Sequence, residues 1–184
     1  MMPPNRMRMA SILKRLINEA DIRTEVAALG RRIAADYRDR SLTVLGVLTG
    51  SIIFLSDLIR QMELPVRVGL IQASSYRGRS TQPGRLIVGT ELAPDISGRD
   101  VLLIDDIFDT GQTLSSLLGT VKQREPNSVR SAVLLWKEGR QTVDIEPDYH
   151  CFKIPDVFVV GYGLDYDDEY RHLPYIATLD DQDL

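Results

Sequence analysis

The sequence predicts an α/β fold, a mostly parallel and twisted sheet flanked by helices. Three observations carry this expectation. Apolar stripes at helical spacing alternate along the chain with short aliphatic, β-branched runs, the pattern of β–α–β units. Most of those runs are continuously apolar, as in strands covered on both faces. No internal repeat, low-complexity tract or linker divides the 184 residues, so the chain is read as one domain over residues 1–184.

Each element has its own signal. Ile22, Val26, Leu29, Ile33 and Tyr37 recur every three to four residues and predict an amphipathic helix over about residues 20–38. Val44 to Leu48 is a short apolar run, hence a buried strand. Leu55, Leu58, Ile59 and Met62 resume the helical stripe until Pro65 stops it, and Val66, Val68 and Leu70 then alternate as a strand does. Val101 to Ile104 is the next buried strand. Leu114, Leu117, Leu118 and Val121 fall at i, i+3, i+4 and i+7 of a helix beginning near Thr113, and Val129 to Trp136 supplies a further strand.

Bulk properties limit the function. An apolar content of 43% with 26% charged residues is ordinary globular composition. With 22 basic against 26 acidic residues the net charge is −4, which offers no general attraction to nucleic acid or an anionic membrane. Cys151 stands alone, so no internal disulfide and no Cys-x-x-Cys site is expected, and it reads as a buried, inert thiol. Lys14 and Arg15 interrupt the opening apolar stretch before signal-peptide length, and no run approaches the roughly 20 apolar residues of a membrane span. A cytoplasmic protein without membrane partners is expected.

The stretch VLLIDDIFDTGQTL, residues 101–114, concentrates the chemistry. A strand ending at Ile104 delivers Asp105 and Asp106 to the carboxyl edge of the sheet, where ligands bind in folds of this class. Asp109, Thr110, Gly111, Gln112 and Thr113 then turn into a helix whose first N–H groups are unpaired and partially positive, with Gly111 allowing close approach of an anion. The turn suits a phosphate; the acidic pair suits hydroxyls or a divalent cation with oxygen ligands. Together they suit a sugar phosphate. Asp109 or Thr110 alone would serve as an ordinary helix N-cap. A phosphoacceptor receiver domain also carries a strand ending in two aspartates, but near its start, whereas here the pair lies past the middle of the chain. No Gly-x-x-x-x-Gly-Lys-Ser/Thr is present to support a Walker-type fold.

This stretch resembles the diphosphate and ribose binding motif of the type I phosphoribosyltransferases. LTGSIIFLSDLIRQM (48–62), ASSYRGRSTQPG (73–84), LLWKEGR (134–140) and IPDVFVVGYGLDYDDEYRHLPYI (154–176) are similar, in order, to motifs of the hypoxanthine-guanine phosphoribosyltransferases. The resemblance runs from about residue 15 to residue 179, leaving residues 1–10 outside it and expected to be flexible. It implies the type I fold with a small hood formed by terminal segments, and transfer of a 5-phosphoribosyl group from phosphoribosyl diphosphate to N9 of hypoxanthine, guanine or xanthine in purine salvage.

By the family's pattern, Asp105 and Asp106 meet the ribose hydroxyls, and Asp109 to Thr113 cradle the 5′-phosphate. Asp109 also accepts the purine proton. Lys137 meets the 6-oxo group, Phe158 stacks on the ring, Val159 offers backbone groups to its edge, and Asp165 also belongs to the purine side of the site. Leu48, Thr49, Gly50, Ser75, Tyr76 and Arg171 face pyrophosphate. Two Mg2+ ions are implied, one carried by phosphoribosyl diphosphate; Asp165, Asp105 and Asp106 are the candidate metal-side carboxylates. Residues 76–84 are expected to fold over the site, and a homodimer or homotetramer is expected. Thr49 departs from the family, which usually reads Leu-Lys-Gly, yet a cis Leu48–Thr49 bond is still expected because backbone donors do not need the lysine. The other function kept in view is an RNA-binding regulator on the same fold. It would need a basic face, for which Arg31, Arg32, Arg38 and Arg40 are the candidates.

Overall fold

The computed structural model describes residues 13–75 and 86–179. Its central sheet has six strands: β2 (Leu42–Leu48), β3 (Arg67–Ser75), β4 (Leu86–Gly89), β5 (Asp100–Phe108), β6 (Ser128–Lys137) and β7 (Tyr149–Ile154). Their spatial order is β4-β3-β2-β5-β6-β7. All neighbours pair in parallel except β3 with β4, which are antiparallel at one edge. The chain proceeds outward from β2 to β3 in one direction and from β5 through β6 to β7 in the other, so the order reverses between β2 and β5. A crevice opens beyond the carboxyl ends of those two strands.

Helix α1 (Glu19–Asp36) starts at Asn18, whose side chain accepts the Asp21 N–H at 2.8 Å, and buries Ile22, Val26, Leu29 and Ile33. With α2 (Ile52–Ile59) it covers one face of the sheet, over Val44, Leu102, Ile104 and Leu134. Helix α3 (Gln112–Lys122) covers the other, over Leu45, Leu103 and Val133. Successive residues of β5 thus enter opposite cores, as period-two side chains must. The stripe predicted through Met62 ends as helix at Ile59, and the chain continues in tight turns that still bury Met62.

A second, antiparallel sheet has the order β1-β9-β8, formed by β1 (Lys14–Ile17), β8 (Val159–Val160) and β9 (Ile176–Thr178). It is the hood, built from both ends of the described chain. Of the four candidate arginines, Arg31, Arg38 and Arg40 line one cavity together with the acidic Asp39 and Glu63. Arg40 forks onto Asp100 (Nε–Oδ2 3.0 Å, Nη2–Oδ1 2.6 Å), and Arg32 lies over the Tyr149 ring at 4.9 Å, so two of the four arginines serve the fold. Among the described residues no helix is long and apolar enough to cross a membrane.

Candidate active site

Strand β5 is longer than its apolar run. It continues through Asp105 and Asp106 to Phe108, because Asp105, Ile107 and Phe108 still pair with Val133, Leu135 and Trp136 of β6. The two aspartates therefore sit on rigid strand and not on the turn. Asp105 is buried, Asp106 half-buried, and the Asp106 N–H donates to Asp105 Oδ1 at 3.0 Å. Burial raises both carboxyl pKa values, and for Asp105 the adjacent Asp106 charge raises it further. For Asp106 hydrogen bonding and the Arg171 guanidinium oppose part of that rise.

The turn is reduced to Asp109, Thr110 and Gly111. Gly111 is the N-cap of α3 with φ of 83°, a left-handed conformation that glycine tolerates, and a Cβ there would lie 2.5 Å from Val143. Gly111 has no side chain to cap the helix, and Asp109 bonds to Arg140 instead of the helix start. Only Thr110 Oγ1 stands at 3.5 Å from the Gln112 N–H. The first turn, with the Thr113 hydroxyl exposed on it, opens beside a cavity of about 240 Å³. Asp105, Asp106, Asp109, Thr110, Gly111 and Thr113 line it from one side, Leu48 and Gly50 from the other. Gln112 points instead to Thr142, its amide 3.4 Å from Thr142 Oγ1, while the Thr142 N–H donates to Thr110 O at 3.0 Å. Thr142 braces the turn, and nothing in the sequence singled it out.

After β2 the Leu48–Thr49 peptide bond is cis, as expected for this loop, and the Thr49 side chain is exposed. Gly50 follows, pressed so closely on Asp106 that a Cβ would lie 1.6 Å from its Oδ2. On its other side Gly50 O meets Gly163, where a Cβ would be 2.1 Å away. Loop, acidic strand and the turn after β8 are thus in mutual contact.

Arg171 folds back on that turn. Its Nη1 donates to Gly163 O at 2.8 Å, and its Nη2 lies 2.8 Å from Asp165 and 3.2 Å from Asp168. The Asp168 N–H also donates to Asp165 Oδ2 at 3.0 Å, which ties the backbone of the turn together while the Asp168 side chain stays exposed. Of the pyrophosphate candidates, Ser75 ends β3 with its side chain outside the described residues; Tyr76 and the expected cover at 76–84 lie outside them altogether.

A second cavity, about 790 Å³, adjoins the turn and brings Lys137, Phe158 and Asp109 together under the hood residues Lys14, Arg15 and Thr178. Lys137 is buried at the end of β6, its Nζ 3.7 Å from Asp109 Oδ2. Phe158 keeps one face open, 37% exposed, with Tyr166 edge-on at 5.5 Å. Val159 is buried in β8, paired with Thr178. Sequence reasoning missed two members of this pocket. Arg140 Nε lies 3.0 Å from Asp109 Oδ1, and Asp156 Oδ1 lies 3.7 Å from Lys137 Nζ. The Asp109 hydrogen bond raises the Arg140 pKa further. Trp136 and His150, by contrast, stack edge-on at 5.2 Å away from the pocket lining, a packing role.

Residues 16–167 match the family described as the phosphoribosyl transferase domain. A hypoxanthine-guanine phosphoribosyltransferase of Staphylococcus epidermidis is 43% identical over 164 residues, 89% of this chain and 92% of that protein. One of Streptococcus pneumoniae is 40% identical over 171 residues, 93% and 95% of the two chains. The crystal structure of a hypoxanthine phosphoribosyltransferase from Staphylococcus aureus superposes with a TM-score of 0.87 at 40% identity, covering 95% of this chain and 98% of that one.

Proposed function

The chain belongs to the hypoxanthine-guanine phosphoribosyltransferases, and on that premise we propose how its residues carry out the reaction. It transfers the 5-phosphoribosyl group from phosphoribosyl diphosphate to N9 of a 6-oxopurine, giving the nucleoside 5′-monophosphate and pyrophosphate in purine salvage.

Breaking the C1–O bond leaves positive charge on the ribose ring and negative charge on pyrophosphate, while the purine must shed a proton. In the proposed reading the 5′-phosphate sits on the Thr110–Thr113 turn at the uncapped start of α3, where free N–H groups and the helix dipole favour an anion. Asp105 and Asp106 accept hydrogen bonds from the ribose hydroxyls. The backbone around Thr49 and Gly50 and the Arg171 guanidinium hold pyrophosphate. Arg171 is within electrostatic reach of Asp106, which supports its placement beside the sugar diphosphate.

Lys137 and Asp109 carry the purine assignment. A donor cation and an acceptor carboxylate 3.7 Å apart, beside an open aromatic face, match a 6-oxopurine, whose carbonyl oxygen and neighbouring imidazole N–H lie together on one edge. Lys137 donates to the oxygen, Asp109 takes the proton, Phe158 stacks on the ring, and the Val159 backbone meets its other edge. The exocyclic amine of adenine would face a second donor at Lys137 and is rejected.

Magnesium belongs to the same proposal. Asp105, Asp106 and Asp165 are hard oxygen donors, but among the described residues no group of three or more His, Cys, Asp or Glu forms a ready cage. That fits ions held by one or two carboxylates with substrate oxygens completing the sphere, one ion arriving with the diphosphate. When bound, Mg2+ spreads the leaving-group charge. We place the enzyme in the cytoplasm as a single domain in a homodimer or homotetramer; the exposed Ile52 and Ile53 on α2 support self-association.

The test is kcat/KM for hypoxanthine, guanine, xanthine and adenine with phosphoribosyl diphosphate. At least one 6-oxopurine should exceed adenine by about 10²-fold or more; adenine turned over equally would refute the assignment of Lys137.

A further inference from the structure

Arg140 and Asp156 have no part in the reading above, yet they complete a figure with two residues that do. Lys137 Nζ lies 3.7 Å from Asp109 and 3.7 Å from Asp156; Arg140 Nε lies 3.0 Å from Asp109 and 3.6 Å from Asp156. Each cation touches both carboxylates and each carboxylate touches both cations. We propose that Arg140 and Asp156 are positioning residues which close this four-membered ring of alternating charge and thereby hold Lys137 and Asp109 apart at the spacing that admits the purine edge.

The members come from three places: Asp109 from the turn after β5, Lys137 and Arg140 from the end of β6 and the turn that follows it, and Asp156 from the segment between β7 and β8. Their formal charges cancel within the ring, so the four together present no net charge to a neutral purine. Opposite charges left as an isolated pair close to hydrogen-bond contact, where they satisfy each other and have nothing to offer a ligand. Here each is pulled from two sides. Asp156 draws the Lys137 ammonium away from Asp109, and Arg140 holds the Asp109 carboxylate from the opposite flank. Removing either brace lets Lys137 and Asp109 collapse together, and the purine must then break that contact before it binds. Lys137 is buried and costly to leave unpaired, whereas Asp109, Arg140 and Asp156 are 36%, 44% and 52% exposed at the side chain. Water therefore screens the braces, and the effect of each is moderate.

This inference rests on the 6-oxopurine reading, and the experiment separates the two. Steady-state kinetics with hypoxanthine and phosphoribosyl diphosphate are measured for the unaltered enzyme, Asp156→Asn, Asp156→Glu and Arg140→Gln. The expected result is a KM for hypoxanthine about five- to tenfold higher in Asp156→Asn and Arg140→Gln, a KM for phosphoribosyl diphosphate within about twofold of the unaltered enzyme, and recovery of most of the loss in Asp156→Glu. An unchanged hypoxanthine KM in both variants, or an equal rise for both substrates, overturns the ring while leaving the function standing. Failure of the unaltered enzyme to use any 6-oxopurine overturns both.

Discussion

Burial lifts the Asp105 carboxyl well above its ordinary value of 3.8, and the Asp106 charge adds to the shift. The consequence for stability has a definite sign. A carboxyl whose folded pKa is raised binds more protons folded than unfolded, so stability falls as pH climbs from the unfolded value through the folded one. The penalty grows from the unfolded value upward and is complete only above the folded one. Asp105→Asn removes it, and we expect that variant to melt at a higher temperature than the unaltered protein at pH 7, with the gap narrowing below about pH 4. The same variant should lose most of its phosphoribosyl transfer under the proposed ribose contact of the acidic pair, a stability–activity trade-off in one side chain. A lower melting temperature at pH 7 would mean that the carboxylate stabilises the fold. The acidic pair was legible in the sequence because a polar doublet after four apolar residues is conspicuous. Arg140 and Asp156 were not, since one charge after a turn and another after a proline carry no local signal; only folding brings them to Asp109 and Lys137.

At the level of elements, the helices and the four inner strands β3, β2, β5 and β6 followed from periodicity, while the edge strands β4 and β7 and the strands of the hood did not. β1, β8 and β9 have four, two and three residues, too few to show a period, and they are held by pairing partners remote in sequence: Lys14 faces Thr178 and Val159 also faces Thr178. The end of β5 was misjudged for a related reason. Apolar content marks a strand only where both its faces are buried, and β5 continues past that point into the site. The contact between its end and the loop after β2 can be tested. Gly50 leaves no room for a side chain against Asp106, so Gly50→Ala must displace either the loop backbone or the carboxylate. The expected outcome is a KM for phosphoribosyl diphosphate raised about tenfold or more, with circular dichroism unchanged. A KM like that of the parent would show that loop and strand adjust independently.

Across the whole molecule the site lies where the two halves of the sheet part, so a substrate that touches both β2 and β5 ends should resist unfolding of either. Cys151 offers a way to see this. It lies in β7, packed against the larger core cluster, and burial with the nearby Glu25 charge pushes its thiol up to about 12 against an ordinary value of 9.0. At pH 8 the reactive thiolate is then about a thousandfold scarcer than in the unfolded chain, and a thiol reagent should label the native protein slowly by at least that factor. Cys151 is half-buried, so labelling has a direct component and one from opening, and ligand decides which kind of opening contributes. If β7 is released only when the whole sheet unfolds, saturating phosphoribosyl diphosphate with Mg2+ slows labelling in proportion to one plus its concentration over Kd, although Cys151 touches no substrate. If β7, an edge strand, frays alone, the rate does not change with ligand. We expect the first outcome, because β7 is tied to its neighbour through five paired positions from Ala132–Tyr149 to Lys137–Ile154, and the last of these carries Lys137, the lysine proposed to meet the purine.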